Sequence, residues 1–169
     1  RKQRFQGAFM EESTATLQTN LLQVHFQNGM DGQYVLDPVA DYFVKVNPAF
    51  CELVGYSAEQ LVESKTPLAT SALVHPEDRE LVATQRSQAS RPGERGSLRF
   101  RVVVPDGEVR HLEICYAVVN YLGRILHVGS ARDVSEQVKL ESKLRSESDY
   151  NRELSLEAQR AAKENQKKN

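Results

Sequence analysis

A chain of 169 residues, 40% hydrophobic and 27% charged, is long enough for one core of ordinary size and too short for two comfortable domains. Its formal net charge of −1 gives no electrostatic reason to expect nucleic acid or an anionic membrane as partner, and the short basic clusters "RKQR" and "QKKN" read as solvated ends. No apolar run approaches the roughly twenty residues of a membrane span. Cys51 and Cys115, the only two cysteines, lack metal-type spacing and a disulfide framework, so they read as small core residues in a reducing cytoplasm.

From Phe9 to Asn28 there is no proline, and Met10, Leu17 and Val24 recur every seven residues with Leu21 beside them. That pattern predicts an amphipathic helix with a narrow stripe, suited to packing on a sheet or on its twin, and "NGMDG" stops it. "QYVLDPVADYFVKVN" reads as two short strands, Gln33–Leu36 and Tyr42–Val46, around a turn. In "VNPAFCELVGYSAEQL", Asn47 caps a helix that Pro48 starts and Gly55 ends after about two turns. Ser57 and Gln60 form a second cap of the capping-box type. Glu63 to Leu73 read as irregular, with Thr66 and Pro67 breaking any period. "HPEDRELVATQRSQAS" then starts a longer helix, with Pro76 first and Glu77 and Asp78 set favourably against the helix dipole.

"LRFRVVV" alternates Leu98, Phe100 and Val102 against Arg99, Arg101 and Val103, which predicts a strand with one buried face. "PDGE" turns the chain, and "VRHLEICYAVV" puts Leu112, Ile114, Tyr116 and Val118 on one face. "NYLGR" turns again into the last strand, "ILHVGSA". Two strands, several small helices and three long strands in that order predict an α+β fold with helices on one face of an antiparallel sheet. "RDVSEQ" launches a final helix, with Asp133 as its cap and Glu136 reaching back. From Val138 to Lys168 there is no glycine or proline. Leu140, Leu144, Leu154, Ala158 and Ala161 fall on a seam with Glu147, Asn151 and Asn165, weak and register-specified, which suits a switchable parallel helix pair. A single solvated helix is the alternative. The chain therefore divides into a helix over 1–29, a sheet domain over 30–136 and a C-terminal helix over 137–169.

Over about Met30 to Glu136 the sequence resembles a PAS domain, the small sensory module of histidine kinases, diguanylate cyclases and related signalling proteins. The stretches that carry the resemblance are "VNPAFCELVGYSAEQL", "VHPEDRE", "FRVVVPDGEVRHLEICY" and "GSARDVSEQ", in that order and spacing. The resemblance implies a five-stranded antiparallel sheet with helices across one face, the two small helices forming one wall of a pocket. "NRELSLEAQRAAKENQKKN" is similar to the helix that in many sensor kinases runs into a phosphorylatable hairpin, whose histidine these residues do not include. A parent histidine kinase is thus the expectation, and the piece itself is not expected to be an enzyme.

Candidate chemistry is sparse. Nucleophile-elbow, HExxH, P-loop and dinucleotide fingerprints do not occur. Among the four histidines, His75 reads as a local cap beside Pro76, His111 and His127 read as sheet-surface residues, and His25 lies in the first helix. Flavin-binding relatives carry a reactive cysteine in a different helix from Cys51, and haem-binding relatives use a histidine of the long helix that this chain lacks there, so neither cofactor is expected, and no metal. A small organic ligand is the remaining candidate, inside a wall of Phe50, Leu53, Leu61, Leu81, Leu98, Phe100, Ile114 and Tyr116, with Tyr56 and Tyr116 orienting it. A filled core that senses nothing and only sets dimer geometry is the rival.

The expected arrangement is a parallel homodimer in which Met10, Leu17, Leu21 and Val24 pack across the two-fold axis. A signal passes from the last strand through Arg132, Asp133 and Glu136 to Leu140, Leu144 and Leu154 of the exit helix, and on to a kinase or other output domain in cis. The chain opens on Arg and closes inside a helical pattern, as a piece of a longer cytoplasmic polypeptide does, and the basic start is consistent with a membrane segment before Arg1.

Overall fold

Strands β1 (Gly32–Asp37), β2 (Tyr42–Val46), β3 (Arg95–Val103), β4 (Val109–Tyr121) and β5 (Arg124–Asp133) form one antiparallel sheet in the order β2-β1-β5-β4-β3. The computed structural model describes the backbone of residues 2–63 and 68–167 and the side chains of 14–62, 68–160 and 163. Because β2 and β3 occupy opposite edges, the chain between them must cross the whole sheet, roughly 19 Å at four strand spacings. It does so as α2 (Pro48–Val54), a π turn (Glu59–Glu63), α3 (Thr70–Leu73), a 3-10 turn (Pro76–Asp78) and α4 (Arg79–Gln88). The fold is that of the α+β expectation, a five-stranded antiparallel sheet with small helices. Helices α1 (Lys2–Gln27) and α5 (Ser135–Lys167) stand at the two ends of the chain. The chain divides into two compact units, Arg1–Asp133 and Val134–Asn169.

Local chemistry accounts for the tight passage from β2 into α2. Asn47, 0% exposed, uses its whole side-chain amide. Its Oδ1 accepts from Phe50 N at 2.9 Å, which caps α2, and from Gln33 N at 2.8 Å; its Nδ2 donates to Phe26 O at 3.1 Å and Asp31 O at 3.0 Å. Pro48 takes the first helical position, and Gly55 at φ 76 closes the helix with its N–H on Cys51 O, a conformation in which a Cβ is penalised. The capping box follows, with Ser57 N donating to Gln60 Oε1 at 3.0 Å and Gln60 N to Ser57 Oγ at 3.3 Å. The β1–β2 turn is held by Asp37, whose Oδ1 accepts from Val39 N at 3.0 Å and Ala40 N at 2.9 Å.

Tyr34, Leu36, Phe43, Val46, Phe50, Val54, Leu61, Leu73, Val102, Leu112 and Ala131 make the core. Three of its rings meet edge-on or tilted, with Phe43–Phe50 centroids 4.9 Å apart and Tyr34–Phe50 5.4 Å apart. At the far edge Arg101 ties β3 to the start of α4, with Nη2 at 2.6 Å and Nε at 3.0 Å from the Asp78 carboxylate. Those bonds, opposed by partial burial, hold the Asp78 carboxyl down at about 2.

Several expectations are corrected in detail. Thr70 to Leu73 are helical where an irregular stretch was expected; Thr66 and Pro67 of that stretch lie outside the described residues. The long helix starts as a 3-10 turn, and its α-helical part begins only at Arg79. Asp133 is the last residue of β5, opposite Leu112, while α5 begins at Ser135 and the Glu136 carboxylate accepts from Lys139 Nζ at 3.1 Å. Cys115 is exposed and Cys51 half-buried, so only Cys51 packs against the core; Cys115 falls on the outer face because β4 alternates Leu112, Ile114 and Tyr116 inward. The side chains of Met10 and Ala161 lie outside the described residues, as does that of Asn165.

Replacing Asn47 by Ala leaves two N–H groups and two carbonyls to find new partners. It is expected to lower stability by about 3 kcal/mol, read as a fall in the urea midpoint with unchanged slope; a change below about 1 kcal/mol would mean that water replaces the amide.

Candidate functional site

Between the inner face of the sheet and the helices crossing it lies a cavity of ≈ 50 Å³. The alternation of β3 and β4 supplies one wall, Leu98, Phe100, Leu112, Ile114 and Tyr116, and Phe50 of α2 and Val82 of α4 close the other. At one end the lining turns polar, through Tyr34, Gln85, Arg86, Tyr116 and His127. Two glycines make this end possible. A Cβ on Gly129 would sit 2.7 Å from the Tyr34 hydroxyl, and one on Gly96 2.5 Å from the Tyr116 hydroxyl. Each phenol therefore lies across a neighbouring strand that carries no side chain there.

His127, 3% exposed, stacks on Tyr116 with centroids 5.1 Å apart and 12° between planes. Its Nε2 is 2.8 Å from Ala89 O. A carbonyl only accepts, so Nε2 carries a proton in this contact. Burial pushes the imidazole below its ordinary value of 6.5; the Ala89 carbonyl opposes this and the Arg86 charge adds to it.

Arg86 reaches the cavity from α4, and its Nη1 donates to Asp41 Oδ1 at 2.9 Å. Asp41 holds a left-handed φ of 55 at the start of β2, a conformation Asp tolerates. It also accepts from the Thr70 hydroxyl and from the hydroxyl and N–H of Ser71. Burial works to raise the Asp41 carboxyl, but the bonds from Ser71 and Thr70 and the Arg86 charge together hold it below its ordinary value. Burial also lowers the Arg86 guanidinium, against the pull of Asp41.

A family model described as PAS fold matches residues 43–131. This chain belongs to the PAS family. Its cavity lies in the PAS core, and the protein is a sensory module. Solved PAS structures agree in fold. The PAS domain of an HTR-like protein from Haloarcula marismortui is 23% identical with a TM-score of 0.61, over 73% of this chain and 98% of that one. A domain of a sensory box sensor histidine kinase/response regulator from Geobacter sulfurreducens is 24% identical with a TM-score of 0.56, over 70% and 96%. The N-terminal domain of a diguanylate cyclase with PAS/PAC sensor from Marinobacter aquaeolei is 19% identical with a TM-score of 0.52, over 63% and 97%. No curated protein matches the chain closely enough to carry an argument.

Of the residues expected around the PAS interior, Phe50, Leu98, Phe100, Ile114 and Tyr116 line the cavity. Leu61 is wholly buried but belongs to the packed core, and Leu53 and Tyr56 pack on that core from outside the cavity. Leu81 is 45% exposed. The inward face of α4 is instead Val82, Gln85, Arg86 and Ala89, an i, i+3, i+4, i+7 stripe with polar residues in its middle. His127 is also corrected, from sheet surface to cavity wall. It pairs opposite Leu36 and Val118, which both face inward, while its apolar neighbour Val128 is 42% exposed. His75 does act as a local cap, its Nδ1 accepting from Glu77 N at 3.3 Å. Among the described residues no group of three or more His, Cys, Asp or Glu could hold a metal ion, and no helix is long and apolar enough to cross a membrane.

A buried histidine with a depressed folded pKa leaves the unfolded chain binding more protons below about 6.5. Stability is therefore expected to be full above that pH and to fall as pH drops below it. The stabilised carboxylates Asp31, Asp37, Asp41 and Asp78 act only lower, below their ordinary 3.8. Urea midpoints between pH 7.5 and 5.5 (about one unit either side of the free imidazole value) check this, and His127→Gln should flatten the slope. An equally steep slope in that variant would assign the effect elsewhere.

Proposed function

We propose that this PAS module works as a parallel homodimer that relays a signal through α5 to an output domain in cis, a histidine kinase. The observation that carries the reading is the two-sidedness of α1. Thr19, Leu22, Gln23 and Phe26 border a groove with Val35, Ala117 and Val128 on the outer face of the sheet. At about 100° per residue, Leu17, Leu21 and Val24 lie on the opposite side of the helix. They are 58%, 59% and 56% exposed, an apolar stripe the domain itself does not use, and a second copy of the same stripe is the self-complementary partner for it.

The path of the relay runs through the end of β5. Arg132 makes a bidentate pair with Asp31, Nε to Oδ1 at 2.9 Å and Nη2 to Oδ2 at 2.8 Å, which joins the linker after α1 to the strand that continues through Asp133 into α5. In α5, Leu140, Leu144 and Leu154 are 59%, 57% and 46% exposed, as an unpaired seam would be. A bias of about 1–3 kcal/mol is enough to rotate or re-register so weak a seam. The Geobacter sulfurreducens neighbour, a sensor histidine kinase/response regulator domain, supports a kinase output, and the Marinobacter aquaeolei neighbour supports a diguanylate cyclase as the second reading. A cavity of ≈ 50 Å³, far below the roughly 300 Å³ at which drug-sized sites begin, favours a very small occupant or a ligand-free structural relay over a large cofactor.

Light scattering of the purified chain tests the dimer: a mass twice that of the chain is expected, halved by Leu21→Asp with the circular dichroism of the sheet intact. A native monomer, or a Leu21→Asp dimer as tight as the native one, would overturn the α1 interface. In a fusion to a histidine kinase, Asp133→Ala should leave phosphorylation insensitive to the input while the PAS sheet stays folded; an unchanged response removes Asp133 from the relay.

A further inference from the structure

We infer that Arg86 is the head-group site for a short monocarboxylate whose tail occupies the cavity, with Asp41 as the internal carboxylate that holds Arg86 until the ligand arrives. The inference deepens the reading of this chain as a sensory module and rests on it.

Arg86 is the partition between two spaces. One is the interior cavity of ≈ 50 Å³, and the other a surface hollow of ≈ 390 Å³ bordered by Pro38, Val39, Asp41, Ser71 and Ala89. Of all the residues that line them, Arg86 alone belongs to both. Movement of this one side chain would join the hollow to the interior.

The hydrogen bonding of the pair is lopsided. A guanidinium carries five N–H donors in a fork that matches a carboxylate; among the described residues Arg86 spends one of them, Nη1 on Asp41 Oδ1. Asp41 does not depend on Arg86 in the same way, because the Thr70 hydroxyl and the Ser71 hydroxyl and N–H also donate to it. Arg86 can therefore turn its fork to a second carboxylate without stranding Asp41. A half-buried guanidinium with unused donors, beside two phenols and an imidazole, favours an anion with hydrogen-bond acceptors. The remaining wall is aliphatic and aromatic, Leu98, Phe100 and Ile114 among it, which suits an apolar tail.

Size narrows the class further. At about 10–15 Å³ for each water-sized group, a volume of ≈ 50 Å³ admits about four groups. That is room for the three-carbon tail of butyrate with little to spare, and too little for a long-chain fatty acid or an aromatic acid.

The test is an NMR titration of the whole chain with sodium butyrate, using butyramide as the uncharged control of the same shape. Butyrate is expected to shift the Arg86 side-chain signals and the methyl groups of Leu98 and Ile114, with butyramide binding at least about tenfold more weakly. Asp41→Asn, which removes the competing carboxylate, should tighten butyrate binding by about tenfold. Arg86→Lys, which keeps the charge but not the fork, should weaken it by a similar factor. Equal binding of acid and amide, native affinity in Arg86→Lys, or no shift in either the native chain or Asp41→Asn would each overturn the site. Should the Arg86 variant fail to fold, the acid-against-amide comparison on the native chain decides alone. The dimer and relay measurements involve no carboxylate, so their failure and this one are separable.

Discussion

One side chain sets the frame on which the domain depends. The Asn47 amide reaches four backbone groups that lie far apart in sequence, on α1, on the linker after it, on β1 and on α2. It is fully buried, so each of these bonds forms in a medium where a missing partner is costly. Any smaller or apolar residue would leave the entry of β1 and the start of α2 without a common reference. The position of α2 over β1, and with it the Phe43–Phe50–Tyr34 cluster, follows from that single group.

The sheet order then does the rest. A chain that leaves the β2 edge and must re-enter at β3 has to spread helices over the intervening strands, and short helices cannot close every gap against a twisted sheet. The gap that remains is the cavity. Its apolar wall is the ordinary consequence of strand alternation, whereas its polar end is assembled by groups from four different elements: Tyr34 on β1, Arg86 on α4, Tyr116 on β4 and His127 on β5. Asp41, at the β1–β2 turn, secures that end by binding α3 and α4 together. The same residues that make the interior chemically distinctive therefore also tie the helical layer to the sheet, through Arg86 on Asp41 and His127 on Ala89 O.

The local features were legible residue by residue. Asn47, Pro48, Gly55, Ser57 and Gln60 have capping roles that depend on neighbours within a few positions, and all of them form as the pattern predicts. The alternation of β3 and β4 likewise exposed Leu98, Phe100, Ile114 and Tyr116 as inward residues. What failed had a common cause. Leu81 was placed inside and His127 outside because apolar side chains were assumed to point to the core, yet the buried stripe of α4 runs through Gln85 and Arg86, and β5 turns His127, Gly129 and Ala131 inward while Val128 faces out. Cys115 misled for the same reason. In each case a polar cluster on one element is stable inside only because other elements bring its partners.

By itself, then, the sequence determined the five strands, α1, α2, α5 and their order, the caps around α2 and the α+β class, since these rest on backbone propensity and on periodicity along a few residues. Tertiary structure alone decided the register that faces His127 inward, the pairing of Arg86 with Asp41 across 45 residues, and the glycine gaps that admit the two phenols. Burial of a charged or polar group is decided by the partners available in space, and those partners come from strands and helices whose adjacency no local pattern encodes.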